Sequence, residues 1–504
     1  MPAKLLTSEL IHKPSIMSPT LILACVAAYS IMLFVVVWYT SRNADNESFF
    51  IGNKSSKWYI VAYGMIGASL SGVTFMSVPG WVGSTQFSYM MVVFGYLFGY
   101  AVIALVLLPL YYRMNLTSIY SYLEERFGTS SYKTGAFYFI LSRTIGAAFR
   151  LYIVVNVLQT FVLDAWGVPF WITVATFIFL ILLYTYKGGV KTIVWTDTLQ
   201  TTFMLLAVLL SVIFIARELN FSFSQILSEV FDGKYSRLVN TEWQERSFWL
   251  KQFFGGMFIA IAMTGLDQEM MQKNISVRNV KDSQKNMFSF SIVLVFINFV
   301  FLALGVLLYI FAESKGISFH GRTSDDLFPE IALNHLGSVS AIFFIIGLIS
   351  AAYPSADGAL TALTSSFCID FLNIKKRNLP ETDQTKIRYA VHISFALVLL
   401  AVIVLFRVIN DDAVINKLFT VAGYTYGPLL GLYAFGLISK AQVRDKWVPI
   451  ICLLSPLICY FLNDHSEAWM NGYKFGFELL ILNGLVTYLG LYLLRIRQPG
   501  SIAS

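Results

Sequence analysis

Long apolar runs separated by short charged loops are the feature that most restricts how this chain can fold. Of its 504 residues, 57% are hydrophobic and only 13% are Asp, Glu, Lys or Arg, against about 25% charged residues in an ordinary soluble domain. At about 20 apolar residues per membrane-spanning helix, the runs divide into about thirteen segments that use nearly the whole length. The sequence therefore predicts an all-α polytopic protein of a lipid bilayer, with no length left for a soluble catalytic domain.

The charged residues and the cysteines argue against other classes. The net charge is +7, but the basic residues are spread through short loops, so no nucleic-acid partner is expected. The cysteines fall inside predicted spans, at spacings that indicate neither a disulfide framework nor a CxxC metal site. One set of alternate loops carries about twice the Lys and Arg of the other, which predicts an external amino terminus and a cytoplasmic carboxyl terminus in a plasma or inner membrane.

The order of the spans predicts an internal duplication. The first span, about Ile16 to Thr40, is too long for the apolar region of about 7 to 15 residues in a signal peptide, so a retained helix is expected. The predicted units are an extra amino-terminal helix with its loop (1–57), a first five-helix repeat (58–217), an external loop (218–246), a second five-helix repeat (247–438) and two carboxyl-terminal helices with a short tail (439–504).

Two spans are interrupted by glycine and polar residues. The span Trp58–Thr85 contains GMIGASLSGVTFMSVPG, and the span Lys251–Gln272 is interrupted at 263–268 by MTGLDQ. The glycines fit either a tightly packed helix face or a helix broken near Gly67–Gly72, whose freed carbonyls are allowed only where they are buried in protein or line a cavity. Two such spans, each opening a group of five helices, indicate a transporter with inverted repeats and a binding site at the membrane midplane.

A third span, Ser350–Asp370, reads SAAYPSADGALTALTSSFCID and carries an acid at membrane depth. An ionised carboxyl there costs roughly 3 kcal/mol on insertion scales, so Asp357 is expected to face a cavity, a counter-ion or a pathway. Pro354 has no N–H and frees the carbonyl of Ser350. These oxygens, facing the freed carbonyls of the first interrupted span, would suit an alkali cation. The alternative is a proline kink whose Ser and Thr bond to their own helix.

Three further charged residues lie in apolar surroundings. Asp197, in KGGVKTIVWTDTLQTT, is interpreted as a cation ligand or as a helix cap. Arg143 and Arg150 are seven residues apart and therefore share one helix face. A buried arginine needs a partner, which here is Asp357 or another acid in a structural pair, or the carboxylate of a substrate held by two parallel hydrogen bonds.

These motifs resemble the sodium:solute symporter family, which includes sodium/proline, sodium/sialic acid, sodium/glucose, multivitamin and iodide transporters. The resemblance covers about residues 20–495, and its most specific pieces are GASLSGVTFMSVPG, GGVKTIVWTDTLQ, TGLDQEMMQK, SAAYPSADGALTALTSSFCID and AGYTYGPLLGL. It implies a LeuT-like core of 5+5 inverted-repeat helices with one helix before it and two after it, about thirteen transmembrane helices in all.

The resemblance also implies which residues bind the transported species. The sodium ligands it implies are Gly67, Leu70, Ala351, Ser355 and, for a second ion, Asp197. Pro354 stands where a hydroxyl residue is usual, and Ser350 and Asp357 are the candidates to replace that ligand. The substrate contacts it implies are Ser71, Thr74 and Asp267, to which the two arginines, Arg143 and Arg150, are added from their own pattern.

The expected function is sodium-coupled secondary active symport. A monomer without catalytic residues imports a small polar or anionic organic solute by alternating access, with Na+ as the coupling ion. The arginines favour an organic anion, and a sugar or a vitamin stays open. The alternatives are a proton-coupled transporter of the same fold, using Asp357 or Asp197, a membrane sensor of solute or sodium, and a membrane enzyme, for which no His or Cys constellation is found.

Overall fold

The computed structural model describes residues 18–40, 56–317, 323–377, 379–409 and 414–496. Ile16 and Met17 of the predicted first span lie outside these ranges, and at residues 19, 186–191, 375, 376 and 409 only the backbone is described. In the described chain the secondary structure is helical, apart from isolated β-bridges between Ser56 and Val277 and between Val443 and Arg495. The predicted all-α class is confirmed.

The helices are numbered in chain order. The first part of the chain forms α1 Pro19–Thr40, α2 Trp58–Ser69, α3 Gly72–Thr85, α4 Tyr89–Arg113, α5 Ser121–Arg126, α6 Thr129–Trp166, α7 Phe170–Glu218 and α8 Phe223–Asp232. The second part forms α9 Trp249–Gly265, α10 Gln268–Ile275, α11 Val280–Ser314, α12 Leu327–Asn334, α13 Gly337–Phe371, α14 Glu381–Ile409, α15 Val414–Ile438, α16 Val448–Trp469 and α17 Leu479–Leu493.

Length and hydropathy make this a multi-pass membrane protein. Nine helical segments of the described chain are long and apolar enough to cross a bilayer, and the bent pairs α2–α3 and α9–α10 bring the number to eleven. Two shorter apolar segments, Phe170–Thr185 and α17, are also present. The total of about thirteen transmembrane helices stays a prediction.

Helix α7 differs from the sequence-based expectation of two spans at 168–186 and 192–217. Its helical backbone runs unbroken over 49 residues, which would extend about 74 Å if straight. This is more than twice the hydrocarbon thickness of about 30 Å, and separate crossings by its apolar parts Phe170–Thr185 and Thr192–Glu218 stay a prediction.

Both interrupted spans are broken helices. The axes of α2 and α3 differ by 58°, and those of α9 and α10 by 66°. At the first break Leu70 and Ser71 have extended backbone angles, so the last carbonyls of α2 lose their helical partners. The packing interpretation holds as well, because a Cβ on Gly67 would overlap the hydroxyl of Thr201 on α7.

Helix α13 lies at the centre of the molecule. It packs along α7, where a Cβ on Gly347 would overlap the side chain of Ala207. Every residue from Gly347 to Ser366 is buried by protein. This explains why the segment carries small and hydroxyl residues where a lipid-facing helix carries Leu and Phe.

Glycines also set the distance between α4 and α9. A Cβ on Gly95 would overlap the backbone carbonyl of Phe253, and one on Gly256 would overlap that of Val92. Close backbone approach through small residues is a usual way in which membrane helices pack.

We predict that Gly95→Ala destabilises the protein by about 1–3 kcal/mol, because the added methyl group meets backbone that cannot move aside. Gly146→Ala is the matched control, since its Cβ would meet only Leu418 Cδ1 at 3.9 Å. At position 146 the added methyl group meets no backbone, so alanine should stabilise the helix by up to about 1 kcal/mol through its higher helix propensity. Thermal unfolding of the two purified variants in detergent measures both effects. Equal melting temperatures of the two variants would contradict the packing described here.

Candidate functional site

A cavity of about 720 Å³, its open mouth included, lies beside both helix breaks. The first break contributes Ser69, Leu70 and Ser71, and the second contributes Met263 and Thr264. Four of the five predicted substrate contacts line it, namely Ser71, Thr74, Arg143 and Arg150. The sequence analysis missed the other polar and aromatic wall residues, among them Tyr89, Tyr96, Tyr100, Asn298 and Phe419.

Asp267, the fifth predicted substrate contact, is absent from the lining residues of this cavity in the described chain. Its Oδ1 caps α10 by accepting hydrogen bonds from the backbone N–H groups of Glu269 and Met270 at 3.0 and 3.2 Å. Its Oδ2 accepts a hydrogen bond from the hydroxyl of Tyr426 at 2.9 Å. A carboxylate at a helix amino terminus is stabilised by the free N–H groups and the helix dipole. Asp267 therefore fixes the start of α10.

The two arginines of α6 have different surroundings. Arg143 is buried, forms a salt bridge with Glu269 and places its Nη1 3.9 Å from Asp267 Oδ2. Arg150 forms no ion pair with any residue of the described ranges, and its Nε is buried without a hydrogen-bond partner there. The sequence left open whether these arginines pair with an acid or contact the substrate. Among the described residues, Arg143 forms the pair with an acid, and Arg150 lies in the cavity wall without an ion pair.

Lys273 continues the pairing away from the cavity. Its Nζ lies 2.7 Å from Asp197 Oδ2 and 3.2 Å from Glu269 Oε1. We call the series Arg143, Glu269, Lys273 and Asp197 the buried charge chain. All four side chains are at most 4% exposed, and each ion is thus compensated by a buried ion of opposite charge.

Sequence reasoning missed two members of this chain, Glu269 and Lys273. They lie four residues apart in TGLDQEMMQK, the spacing of an ion pair on one helix face. That spacing was a usable signal. The sequence did not indicate a buried ion pair here, because the motif lies near a basic loop, where charged residues are common.

Four of the five predicted sodium ligands lie at the first helix break and on α13, and α2 and α13 are in contact. The fifth, Asp197, lies on α7. Gly67 and Leu70 are buried at the first break, and Ala351 and Ser355 are buried on α13. Ser355 Oγ lies 3.5 Å from the carbonyl oxygen of Ala351, beyond the usual range of a hydroxyl hydrogen bond. The Ser355 hydroxyl is therefore weakly engaged by protein.

The two candidate substitutes beside Pro354 differ in their partners. Ser350 Oγ is buried and has no hydrogen-bond partner within the described chain. Asp357 accepts hydrogen bonds from the hydroxyl of Tyr184 at 2.8 Å and from the backbone N–H of Gly358 at 2.5 Å. Neither arginine of α6 pairs with Asp357 in the described structure, where Glu269 takes that place for Arg143.

Comparison with known proteins agrees with this architecture. The model of the sodium:solute symporter family matches residues 49–441. The chain belongs to the sodium:solute symporter family. This membership confirms the family resemblance and makes the protein a transporter rather than an enzyme.

Individual relatives are distant but cover most of the chain. The sodium/sialic acid symporter SiaT of Proteus mirabilis is 22% identical over 467 residues, which are 90% of this chain and 92% of that one. The sodium-coupled monocarboxylate transporter 1 of Mus musculus is 25% identical over 407 residues, covering 78% and 64%. A solved structure of a Na+-coupled sialic acid symporter, substrate-bound and outward-open, superposes with a TM-score of 0.79 at 19% identity, covering 94% and 97%. The likeness confirms the LeuT-like fold.

We predict that Lys273→Met destabilises the protein by about 3–5 kcal/mol, because it leaves Asp197 as a buried charge without a partner. The double variant Lys273→Met, Asp197→Asn restores part of this loss, since both charges are then gone. The melting temperatures of the single and the double variant in detergent measure this loss and its partial recovery. Lys315→Met is the control: Lys315 pairs with Glu218 in the solvent, and an exposed pair contributes at most about 1 kcal/mol. A double variant no more stable than Lys273→Met would contradict the pairing.

Proposed function

We propose that this protein uses sodium to import a small organic solute that bears a carboxylate. The observation that carries the proposal is the unpaired guanidinium of Arg150 in the wall of the cavity. A cation in a low-dielectric site is stabilised by an anion that reaches it, and guanidinium binds a carboxylate through two parallel hydrogen bonds.

The first helix break supports the same preference. Helix α3 begins at Gly72, and Ser71, Val73 and Thr74 line the cavity around its amino terminus. The free N–H groups and the dipole at a helix amino terminus favour anions. The tyrosines and Phe419 in the other walls offer apolar surface for the rest of the solute. Relatives named for sialic acid and monocarboxylates agree with a carboxylate-bearing solute.

We place the coupling sodium between α2 and α13. Gly67 and Leu70 offer carbonyls freed at the break, while Ser355 offers a weakly engaged hydroxyl and Ala351 its backbone carbonyl opposite. An ion that bridges the two helices stabilises the arrangement in which the cavity accepts solute, and by linkage the solute raises the sodium affinity by the same factor.

A second sodium at Asp197 would use the oxygen that Lys273 leaves free. Asp197 Oδ2 holds the lysine at 2.7 Å, whereas Oδ1 is buried without a hydrogen-bond partner in the described chain.

We also propose the topology that the basic loops indicate, with the amino terminus outside and the carboxyl terminus in the cytoplasm.

We expect radiolabelled sialic acid or lactate to accumulate in proteoliposomes above its external concentration under an inward sodium gradient. When choline replaces sodium, the internal concentration should reach the external one and rise no further. A neutral hexose under the same gradient is the comparison for solute class. Accumulation driven by a proton gradient without sodium would contradict sodium coupling and favour the proton-coupled alternative.

We predict that Arg150→Gln raises the KM for a carboxylate solute about 10- to 100-fold, the value of a lost hydrogen bond to a charged group. Its melting temperature should stay near that of the unaltered protein, because no ion pair of the described structure is lost. The control is Arg237→Gln in the loop before α9, where the guanidinium is exposed and bonds Asn240. An unchanged KM in Arg150→Gln would remove this arginine from the solute site.

A further inference from the structure

Asn483, near the start of α17, bonds the backbone of a different helix. Its side chain is fully buried, and its Nδ2 donates hydrogen bonds to the carbonyl oxygens of Gly423 and Tyr424 on α15, both at 2.9 Å. In a regular α-helix each carbonyl already accepts from the N–H group four residues further along the chain. The cause of these two bonds therefore lies in α15 itself.

Pro428 is that cause. It lies inside α15 and has no N–H, so the carbonyl of Tyr424, four residues earlier, loses its helical partner. An interior proline is tolerated in a membrane protein where a neighbouring helix supplies a replacement for the lost bond. Asn483 supplies that replacement for α15.

The side chain of Asn483 is itself held in place from two sides. Its Oδ1 and its backbone carbonyl oxygen both accept hydrogen bonds from the buried Oγ of Ser455 on α16. On the other side, a Cβ on Gly427 of α15 would overlap the asparagine side chain. These contacts fix the orientation of the amide, and through it the carboxyl-terminal helices α16 and α17 hold α15 at its proline.

The stretch of α15 before this proline forms walls of two cavities. In the cavity beside the helix breaks, its wall residues are Ile415, Leu418 and Phe419. A smaller cavity of about 280 Å³ is lined mainly by α6 and α15, and Arg150 lines both cavities. The α15 residues of the smaller cavity are Leu418, Val421, Ala422 and Tyr426. The bonds of Asn483 are made within this stretch, so they determine where the wall lies relative to Arg150.

A second interior proline shows the same type of bond away from the cavities. Pro456 lies inside α16 and frees the carbonyl of Cys452, which accepts a hydrogen bond from the hydroxyl of Tyr138 on α6 at 2.6 Å. Among the described residues that line the two cavities, none belongs to α16 and none is Tyr138. The two prolines therefore allow a structural effect to be separated from an effect on the cavity wall.

We propose that Asn483 is a positioning residue for solute binding, which replaces the hydrogen bond that Pro428 removes and so holds the α15 wall in the geometry that fits the solute. The inference rests on the proposed solute site at Arg150. A binding geometry depends on the residues that support a wall as well as on those in it. The carboxyl-terminal helices thereby acquire a part in solute affinity without contacting the solute.

The test is the KM of Asn483→Ala in proteoliposomes for radiolabelled sialic acid or lactate, whichever the unaltered protein accumulates. We expect the KM to rise about tenfold, the order of one neutral hydrogen bond. In the Pro428→Ala background the same substitution should change the KM by at most about twofold, because the N–H restored at position 428 then bonds the carbonyl of Tyr424.

The matched control is Tyr138→Phe, which removes the donor to the carbonyl freed by Pro456. It should lower the melting temperature in detergent and leave the KM unchanged. Asn483→Ser is a second variant, whose hydroxyl can donate one hydrogen bond. Its KM should rise by a smaller factor, and it keeps the test open if Asn483→Ala does not fold.

Two results would overturn the assignment. One is a KM that stays unchanged in Asn483→Ala or Asn483→Ser while the melting temperature falls, as in Tyr138→Phe, which indicates a purely structural amide. The other is an equal rise in KM with and without Pro428→Ala, since the asparagine then does not act through the freed carbonyl. Both differ from failure of the proposed function, in which the unaltered protein itself would accumulate neither acid under a sodium gradient.

Discussion

The buried charge chain is the interaction on which the central architecture depends. Helix α10 is only eight residues long, and all of them are buried although most are polar. Such a segment is stable in a membrane protein only if its charges are compensated within the protein. Glu269 and Lys273 connect it to Arg143 of α6 and to Asp197 of α7. These pairs hold the second helix break in place, and hence one wall of the cavity.

The sequence predicted the parts of the site that are encoded locally. Glycines interrupting an apolar run, as at Gly67 and Gly72, indicate a broken helix without knowledge of its neighbours. The small hydroxyl residues around Ser355 likewise indicate a helix enclosed by protein. For these reasons the class and the two breaks could be predicted from composition and spacing. Of the four predicted cavity residues, Arg143 and Arg150 came from their spacing, whereas Ser71 and Thr74 came from the family resemblance.

The partners of the buried charges could not be predicted in this way. Arg143 and Arg150 have the same chemistry and share a helix face, yet the described structure pairs only the first with an acid. The difference arises because α10 begins beside Arg143, which is a matter of tertiary arrangement. Asp267 similarly reads as a solute contact in the sequence, while in three dimensions it caps a helix and bonds Tyr426.

The cavity wall and the buried charge chain share a single residue, Arg143. Wall positions such as Tyr96, Met263 and Asn298 lie outside the charge chain. In the proposed solute site, exchanging these residues would alter the shape of the cavity without removing an ion pair of the buried charge chain. A change at Arg143 would alter both the cavity wall and the charge chain.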